Sequence, residues 1–146
     1  MIRKITEADR ETYLEFSRIF YDSPAVHAPI PESRRVAAFD EMVSSDERLV
    51  GVVLECDGKP AGYGLASKMY SQEAGGMQLW LEELFILPEY RSRGLGREFF
   101  AYMESLPNVA RTRLEYERAN TRAAALYRRL GYSDVPYAQL MKDIKK

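Results

Sequence analysis

The stretch Arg91-Ser92-Arg93-Gly94-Leu95-Gly96 has residue types and spacing suited to binding an anion. It follows an apolar run over 79–87 and precedes a segment with helical spacing, which together predict a glycine-rich turn between a strand and a helix. Such a turn presents free backbone N–H groups at a helix N-terminus, where the orphan donors and the helix dipole both favour negative charge. Because the arginines add full positive charges, the sequence indicates a ligand that carries phosphate.

Two common nucleotide-binding loops do not fit this stretch. The ATP/GTP loop requires a lysine and a hydroxyl residue after its last glycine, but Arg97 and Glu98 follow Gly96. The dinucleotide fingerprint requires a third glycine where this chain has the much larger Phe99. What remains is Arg-x-x-Gly-x-Gly. The alternative without a ligand is an ordinary strand-to-helix turn with solvated arginines.

Two blocks of the chain resemble the GNAT superfamily of N-acetyltransferases. Residues 81–96 look like its acyl-coenzyme A motif, and residues 114–132 resemble its later strand, Asn, helix, Tyr and Gly-aromatic ending. The blocks have the family's order and roughly its separation. The resemblance implies transfer of an acetyl group from acetyl-coenzyme A to a primary amine, by direct attack through a tetrahedral intermediate. The alternative is a non-catalytic acyl-coenzyme A-binding or sensing domain on the same fold.

The resemblance also implies which residues bind the coenzyme. The turn at 91–96 corresponds to the pyrophosphate site, and the strand before it contributes backbone contacts to the pantetheine. A backbone N–H in that strand would also suit the thioester oxygen, as oxyanion holes do. The implied strand and second-block contacts are Leu84, Phe85, Ile86, Asn120 and Tyr127.

Tyr127 is the candidate general acid, because acetyl transfer must return a proton to the departing thiolate. A phenol with a pKa near ~10 gives its proton uphill to the thiolate of a thiol with a pKa near ~8.5, unless the site lowers the tyrosine pKa. The alternative for Tyr127 is a half-buried helix residue that packs on Tyr132. The alternative for Asn120 is a helix N-cap, a role that is compatible with coenzyme binding.

Glu82 and Glu83 form a polar pair inside an apolar strand. Strand alternation predicts that they point to opposite faces, so that at least one is buried or lies in a cleft, where a carboxylate needs partners or a raised pKa. The resemblance makes Glu82 the candidate catalytic base, since it lies nine residues before Arg91. Glu83 is a candidate substrate contact. The alternative is a salt bridge to Arg113 or another strand arginine.

The resemblance implies that the acceptor amine binds near the loop between the first two helices. His27, the single histidine, and Tyr21 are candidate substrate contacts there, although a lone histidine in a proline-rich loop is more often structural or exposed. Asp22 and Glu41 are candidates to join the two strand glutamates in an acidic pocket that attracts a cation. The sequence leaves open a small-molecule or a peptide amine.

The elements that must position these residues alternate between strands and helices. Strands are predicted at 2–5, 49–56, 60–69, 77–87, 111–117 and 138–141, and helices over 6–20, 32–43, 95–106 and 121–130, with a hairpin turn at Asp57-Gly58. This order predicts a mixed α/β (α+β) fold with one strand–helix–strand crossover. The resemblance implies a GNAT-like, mostly antiparallel central sheet, flanked by helices, whose parallel strand pair splays at the coenzyme site.

Length and composition favour one small enzyme domain over residues 1–146. A net charge of −1 gives no reason to expect nucleic acid or an anionic membrane as partner. The chain has no apolar run long enough for a membrane span and no signal-peptide core at its start, so a cytoplasmic location is expected. One histidine and one cysteine argue against a zinc site. The resemblance makes a homodimer possible.

Overall fold

A computed structural model describes residues 1–145 of the chain. Its elements alternate as the sequence predicts, with short 3₁₀ turns at Glu7–Asp9 and Pro88–Tyr90. The strands are β1 (Ile2–Lys4), β2 (Leu49–Cys56), β3 (Lys59–Ser71), β4 (Gly76–Ile86) and β5 (Val109–Leu114). The helices are α1 (Arg10–Tyr21), α2 (Glu32–Ser44), α3 (Leu95–Glu104) and α4 (Thr121–Arg129).

The five strands form one mixed sheet in the order β1-β2-β3-β4-β5. The first four strands pair antiparallel, whereas β4 and β5 pair parallel through a crossover that contains α3. Asp57 and Gly58 both have positive φ, as the predicted hairpin turn between β2 and β3 requires. The mixed α/β fold predicted from the sequence is therefore confirmed.

Helices cover both faces of the sheet and define two apolar clusters. On one face, α3 places Leu95, Phe99, Phe100 and Met103 against the central strands. On the other face, α1 and α2 contribute Tyr13, Phe16, Phe39 and Met42, which pack around Tyr63 and Phe85 of the sheet. Since both faces are covered, a carboxylate in the middle of β4 is held in an apolar environment unless it opens into a cleft.

Gly64 allows α3 to lie close to the sheet. A Cβ at this position would come within 2.2 Å of the Phe99 ring, and Phe99 is fully buried in the cluster under α3. Although glycine is unfavourable inside a strand, Gly64 lets α3, the helix after the glycine-rich turn, pack close to β3.

β4 and β5 separate part-way along their length. The last paired residues are Leu81 and Leu114, and β4 continues to Ile86 while β5 ends. Residues 115–117, which the sequence pattern includes in β5, lie outside the strand. The backbone of 82–86 consequently has no strand partner on its β5 side, and the predicted splay of the parallel pair is present.

The predicted strand at 138–141 is wrong. The structure has no helix or strand between Tyr132 and residue 145, and the side chains from Ser133 onward are exposed. This segment pairs with no strand of residues 1–145, although β5 is an edge strand of the sheet, so its local strand propensity is not enough to form a strand. Among residues 1–145, no helix is both long and apolar enough to cross a membrane.

Candidate active site

The glycine-rich turn ends at a helix N-terminus that no side chain caps within the described part of the chain. Gly94 is the N-cap of α3 and has a left-handed φ of 86°. The first bond of the helix runs from the Glu98 N–H to the Gly94 carbonyl, at 3.0 Å. The N–H groups of residues 95–97 lie in the first turn of the helix, where no helical carbonyl can accept from them, so they are available as donors to an anion. This geometry supports the predicted anion site.

Arginines surround this turn. Arg91 donates from Nε to the Ile86 carbonyl at 2.9 Å, which ties the turn to the end of β4. The Arg93 guanidinium lies over the ring of Tyr90, 5.5 Å from its centroid. Arg122 at the start of α4 donates to the hydroxyl of Ser92. All three arginines are exposed, so the positive charge faces solvent where a polyanion would arrive.

The space between the splayed strands is a cleft of about 150 Å³. Its walls come from β4, from the segment that follows β5 and from α4, with Phe20 and Ala25 at the α1 side. It brings together five of the predicted site residues, which are Glu82, Glu83, Leu84, Asn120 and Tyr127. Phe85, by contrast, points into the other apolar cluster, against Phe16 and Tyr63.

A β-bulge places Glu82 and Glu83 on the same face of the sheet, so the expectation of opposite faces is wrong. In the β3–β4 register Leu65 lies opposite Glu83 and Ala66 lies opposite Leu81, which leaves Glu82 as the extra residue. Ser67 donates to the Glu82 carboxylate at 2.8 Å and Tyr63 donates to that of Glu83 at 3.2 Å. Tyr63 and Ser67 are four residues apart on β3, so their side chains lie on the same face of the sheet. The bulge therefore turns an alternating pair into a paired carboxylate site.

Glu83 is buried, with 8% of its surface exposed. Burial raises the pKa of its carboxyl to about 7, against the opposing effect of the hydroxyls of Tyr21 and Tyr63. Its neighbours are thus neutral phenols, and no salt bridge joins it to a cation within residues 1–145. A carboxylate held in this way is prepared to accept a proton or an ammonium group near neutral pH.

Glu82 opens toward the cleft and is exposed. The surrounding protein still removes enough hydration to raise the pKa of its carboxyl, the Ser67 hydroxyl opposes that shift, and the charge of Glu115 adds to it. The alternative of a salt bridge to Arg113 is not realised, since that guanidinium lies over the Trp80 ring, 5.4 Å from its centroid.

Tyr127 lies among aromatic rings at the α4 wall of the cleft. Its ring centroid is 5.6 Å from those of Phe100 and Tyr116 and 6.2 Å from that of Tyr132. Burial raises the pKa of its phenol, so the protein alone does not lower it as an easy proton transfer would require. The packing role and a neutral, proton-bearing hydroxyl at the cleft are both present.

Asn120 caps α4, as the alternative interpretation held. Its side-chain oxygen accepts from the Ala123 N–H at 3.1 Å. The amide NH₂ of the same side chain makes no hydrogen bond within residues 1–145, and Asn120 lines the cleft, so the cap leaves room for a ligand contact. Whether Asn120 contacts coenzyme stays a prediction.

The predicted substrate residues lie at the α1 side of the cleft. His27 Nε2 is 2.7 Å from Glu117, which lines the cleft, so the loop after α1 is tied to the segment after β5. Tyr21 is half-buried, and its hydroxyl interacts with Glu83.

The predicted acidic pocket has different members from those expected. Asp22 pairs with Arg18 at 3.5 Å and Glu41 pairs with Arg48 at 2.7 Å, so neither joins the strand glutamates. Glu115 and Glu117 line the cleft instead. Sequence reasoning missed them because it extended β5 through both, and an early end of that strand is the only signal that places them in a loop.

Among residues 1–145, no group of three or more His, Cys, Asp or Glu side chains is placed to hold a metal ion.

Comparison with known proteins places this cleft in a family. The profile of the acetyltransferase (GNAT) family matches residues 9–132, which include both glutamates, the anion-binding turn and Tyr127. The chain belongs to the GNAT family of acetyltransferases.

Curated sequences and solved structures similar to this GNAT chain are both known. The thialysine N-epsilon-acetyltransferases of Bos taurus and Sus scrofa are 31% and 30% identical to it over alignments of 99 residues. These alignments cover 62% of this chain. The chain spans 58% of the length of those relatives. A possible acetyltransferase from Clostridium difficile 630 has the same fold, with a TM-score of 0.85 at 18% identity, covering 100% of this chain and 98% of its own. The aminoglycoside acetyltransferase AAC(6')-Iy, bound to a bisubstrate analogue of coenzyme A, aligns with a TM-score of 0.80 at 18% identity, over 98% of this chain and 97% of its own.

Glutamine in place of Glu83 is expected to stabilise this GNAT domain at alkaline pH. The folded-state pKa of Glu83 is about 7 against an ordinary 4.5, so the neutral form is favoured by folding and stability falls as pH rises through about 7. At a pH above both pKa values, this shift corresponds to a loss of about 3 kcal/mol in the free energy of unfolding. Glutamine removes the charge and still accepts the Tyr63 hydrogen bond. Urea unfolding should show little difference between variant and wild type at pH 4.5 and a clear gain at pH 8.5.

Glu82→Gln is the matched control for this stability measurement. Its carboxylate is exposed, so the pH dependence of unfolding should change far less. A Glu83→Gln variant with the wild-type pH dependence would show that Glu83 is not desolvated as its burial indicates.

Proposed function

We propose that this protein is an N-acetyltransferase that moves the acetyl group of acetyl-coenzyme A to a positively charged primary amine. The observation that carries the proposal is the cleft at the β4–β5 split. It holds two carboxylates with raised pKa values and a neutral phenol, and Leu84 in its wall lies next to Gly96 of the anion-binding turn. Proton acceptors, a proton donor and a polyanion site are thus adjacent.

The residues present fit coenzyme A. The uncapped N-terminus of α3 and the arginines around it suit a pyrophosphate, and residues 91–96 would hold it. The backbone of Leu84, Phe85 and Ile86 pairs with β3 on one side only, and its other side suits the amides of a pantetheine arm, in the manner of an added strand. When bound, acetyl-coenzyme A supplies the activated thioester and its sulfur leaving group.

Glu82 is the proposed acceptor of the amine proton, directly or through a water molecule. Its carboxylate opens to the cleft and has a raised pKa, which improves proton acceptance near neutral pH. Glu83 beside it would hold the ammonium group, because a buried carboxylate with only phenol partners gains most from a cation. Tyr127 on the opposite wall would give its proton to the departing sulfur.

The charge of the cleft supports a cationic acceptor. Four carboxylates line it, those of Glu82, Glu83, Glu115 and Glu117, and no lysine or arginine of residues 1–145 does. Relatives of this chain are named for thialysine and for aminoglycosides, both of which carry primary amines. We infer that the acceptor is a small amine of this type, or a peptide amine with a similar charge, and that the reaction takes place in the cytoplasm.

A coupled assay of thiol release across a panel of amines tests the proposal. Cationic diamines, lysine analogues and amino sugars should be acetylated in preference to neutral or acidic amines, and the preference should weaken as salt screens the carboxylates. Calorimetry with coenzyme A is run in parallel. Tight coenzyme binding with no turnover on the whole panel would favour the sensing domain over the enzyme.

A single methyl group at Gly96 is expected to weaken coenzyme binding without unfolding the protein. A Cβ there would meet only Leu126 and Leu84, at 3.8 and 4.0 Å, which is ordinary contact. The added methyl group would nevertheless point toward Leu84 in the cleft wall, close to where the coenzyme has to approach the turn. Gly96→Ala should raise the dissociation constant for coenzyme A by about tenfold or more, or 1.4 kcal/mol, measured by calorimetry.

Ala101→Gly is the control for Gly96→Ala. Ala101 is exposed on the same helix, so the change should cost about 1 kcal/mol of stability and leave coenzyme affinity unchanged. If both variants bind coenzyme A as the wild type does, the turn at 91–96 is not the phosphate site.

A further inference from the structure

Arg113 is a half-buried arginine of β5 that has no acidic partner. Its guanidinium lies over the Trp80 ring, 5.4 Å from the centroid, and makes no hydrogen bond or ion pair within residues 1–145. Arg111, two residues earlier on the same strand, instead forms a salt bridge with Glu73 at 2.9 Å. The indole attracts the cation but accepts none of the N–H groups of its planar fork. Arg113 can therefore bind an anion that the described part of the chain does not supply.

The register of the sheet places Arg113 and Trp80 on the same face as the paired carboxylates. Trp80 lies opposite Arg113 in the parallel β4–β5 pair and opposite Ser67 in the antiparallel β3–β4 pair. Ser67 in turn donates to the Glu82 carboxylate at 2.8 Å. Since residues directly opposite one another share a face, guanidinium, indole and carboxylate follow one another across one surface. Trp80 and Glu82 are two residues apart on β4, which is roughly 7 Å along the strand.

This part of the sheet face is not covered by the helices. Trp80, the single tryptophan of the chain, is half-buried and packs in neither of the two apolar clusters. Met69, two residues beyond Ser67 on β3 and therefore on the same face, is 49% exposed. Arg113, Trp80 and Met69 thus form an open shelf that begins next to Glu82, and a molecule held at the cleft can extend onto it.

The cleft and the shelf carry opposite charges. Glu82, Glu83 and Glu115 line the cleft, whereas the shelf carries the unpaired guanidinium of Arg113. An acceptor with an ammonium group at one end and an anion at the other matches both. A diamine would instead bring its second ammonium group against the guanidinium, which costs free energy. The arrangement therefore selects among amines by what lies at their far end.

We propose that Arg113 on this shelf binds a carboxylate of the acceptor, so that the substrate is a primary amine with a free carboxylate at the far end of an aliphatic chain. This inference rests on the proposed function, because it places the reacting amine at Glu82. The planar guanidinium can donate two parallel N–H bonds to a carboxylate, while the aliphatic chain crosses Ser67 toward the indole. A phosphate carries up to about two charges and would need a second cation, but Arg111 is already paired with Glu73.

Two acceptors that differ only in the carboxylate test this inference on the wild type. Lysine and lysinamide have the same side-chain amine, and its acetylation is followed as the separated product. We expect kcat/KM to be about tenfold higher for lysine, the effect of one charge-assisted bidentate pair. The acidic cleft alone predicts the reverse, because lysinamide has the larger positive charge. Turnover of both with lysinamide equal or preferred would overturn the inference and leave the proposed function intact, whereas no turnover of any amine would overturn both.

Arg113→Met assigns the preference to this guanidinium. Methionine keeps an apolar contact with Trp80 but removes the charge, so the ratio of kcat/KM for lysine over lysinamide should fall by about tenfold. Arg111→Met is the matched control on the same strand and should keep the wild-type ratio, since that arginine is paired with Glu73. If Arg113→Met shows no folded melting curve, Arg113→Lys replaces it and should give an intermediate ratio, because lysine keeps the charge without the planar fork. An unchanged ratio in the Arg113 variant, or an equal loss in Arg111→Met, would overturn the assignment.

Discussion

Glu82→Gln is expected to lower kcat by ~10²-fold or more, within the range that general base catalysis contributes. Glutamine keeps the hydrogen bond that Ser67 donates but cannot accept the amine proton. The variant should then depend on the small fraction of amine that is already neutral. Its rate should keep rising with pH toward the amine pKa of ~10, whereas the wild type levels off earlier. Steady-state kinetics with saturating acetyl-coenzyme A measure both effects.

Glu83→Gln is the matched comparison, because the two residues are adjacent on one face of β4. If Glu83 holds the ammonium group, its loss should raise KM for the acceptor by about tenfold with a smaller effect on kcat. Below about pH 7 the wild type should lose acceptor affinity as Glu83 takes up a proton, since its pKa is about 7. A variant pair with the opposite split, kcat lost at Glu83 and KM raised at Glu82, would exchange the two roles.

Local signals were sufficient to predict the glycine-rich turn before α3, the hairpin between β2 and β3 and the cap of α4. The left-handed Gly94, the Asp57-Gly58 turn and the Asn120 cap each depend on a few consecutive residues, so residue type and spacing determine them. The same applies to the two apolar helix faces. These features could be predicted because the physical cause and its effect lie within one turn of the chain.

The shape of the carboxylate site could not be predicted, because it depends on pairing between distant segments. Glu82 and Glu83 share a face only because β3 and β4 pair with a bulge between Leu65 and Ala66, and alternation within β4 alone predicts the reverse. The contact between His27 and Glu117 joins residues 90 positions apart. Residues 138–141 have the pattern of a strand, but a strand also needs a partner, and this segment pairs with no strand of residues 1–145.

Tyr127→Phe is expected to lower kcat by about 10²-fold, within the range that general acid catalysis contributes, while the fold is unchanged. The ring keeps its contacts with Phe100, Tyr116 and Tyr132, and the hydroxyl has no hydrogen-bond partner among residues 1–145. Stability should therefore change by no more than about 0.5 kcal/mol. Because burial raises the pKa of the phenol, the wild-type hydroxyl carries its proton throughout the neutral and mildly alkaline range. The variant should therefore have a lower kcat than the wild type across that whole pH range.

Tyr132→Phe separates this catalytic role from aromatic packing. Tyr132 packs against Phe100 and against Tyr127 itself, but its hydroxyl bonds that of Thr112 at 2.7 Å. Removal of this hydroxyl should cost about 1 kcal/mol of stability and leave kcat near the wild-type value. Opposite outcomes in the two variants, activity lost at Tyr127 and stability lost at Tyr132, are what a proton donor requires. A Tyr127→Phe enzyme with full kcat would mean that the departing sulfur takes its proton from water, and that Tyr127 serves only to pack α4 against Phe100.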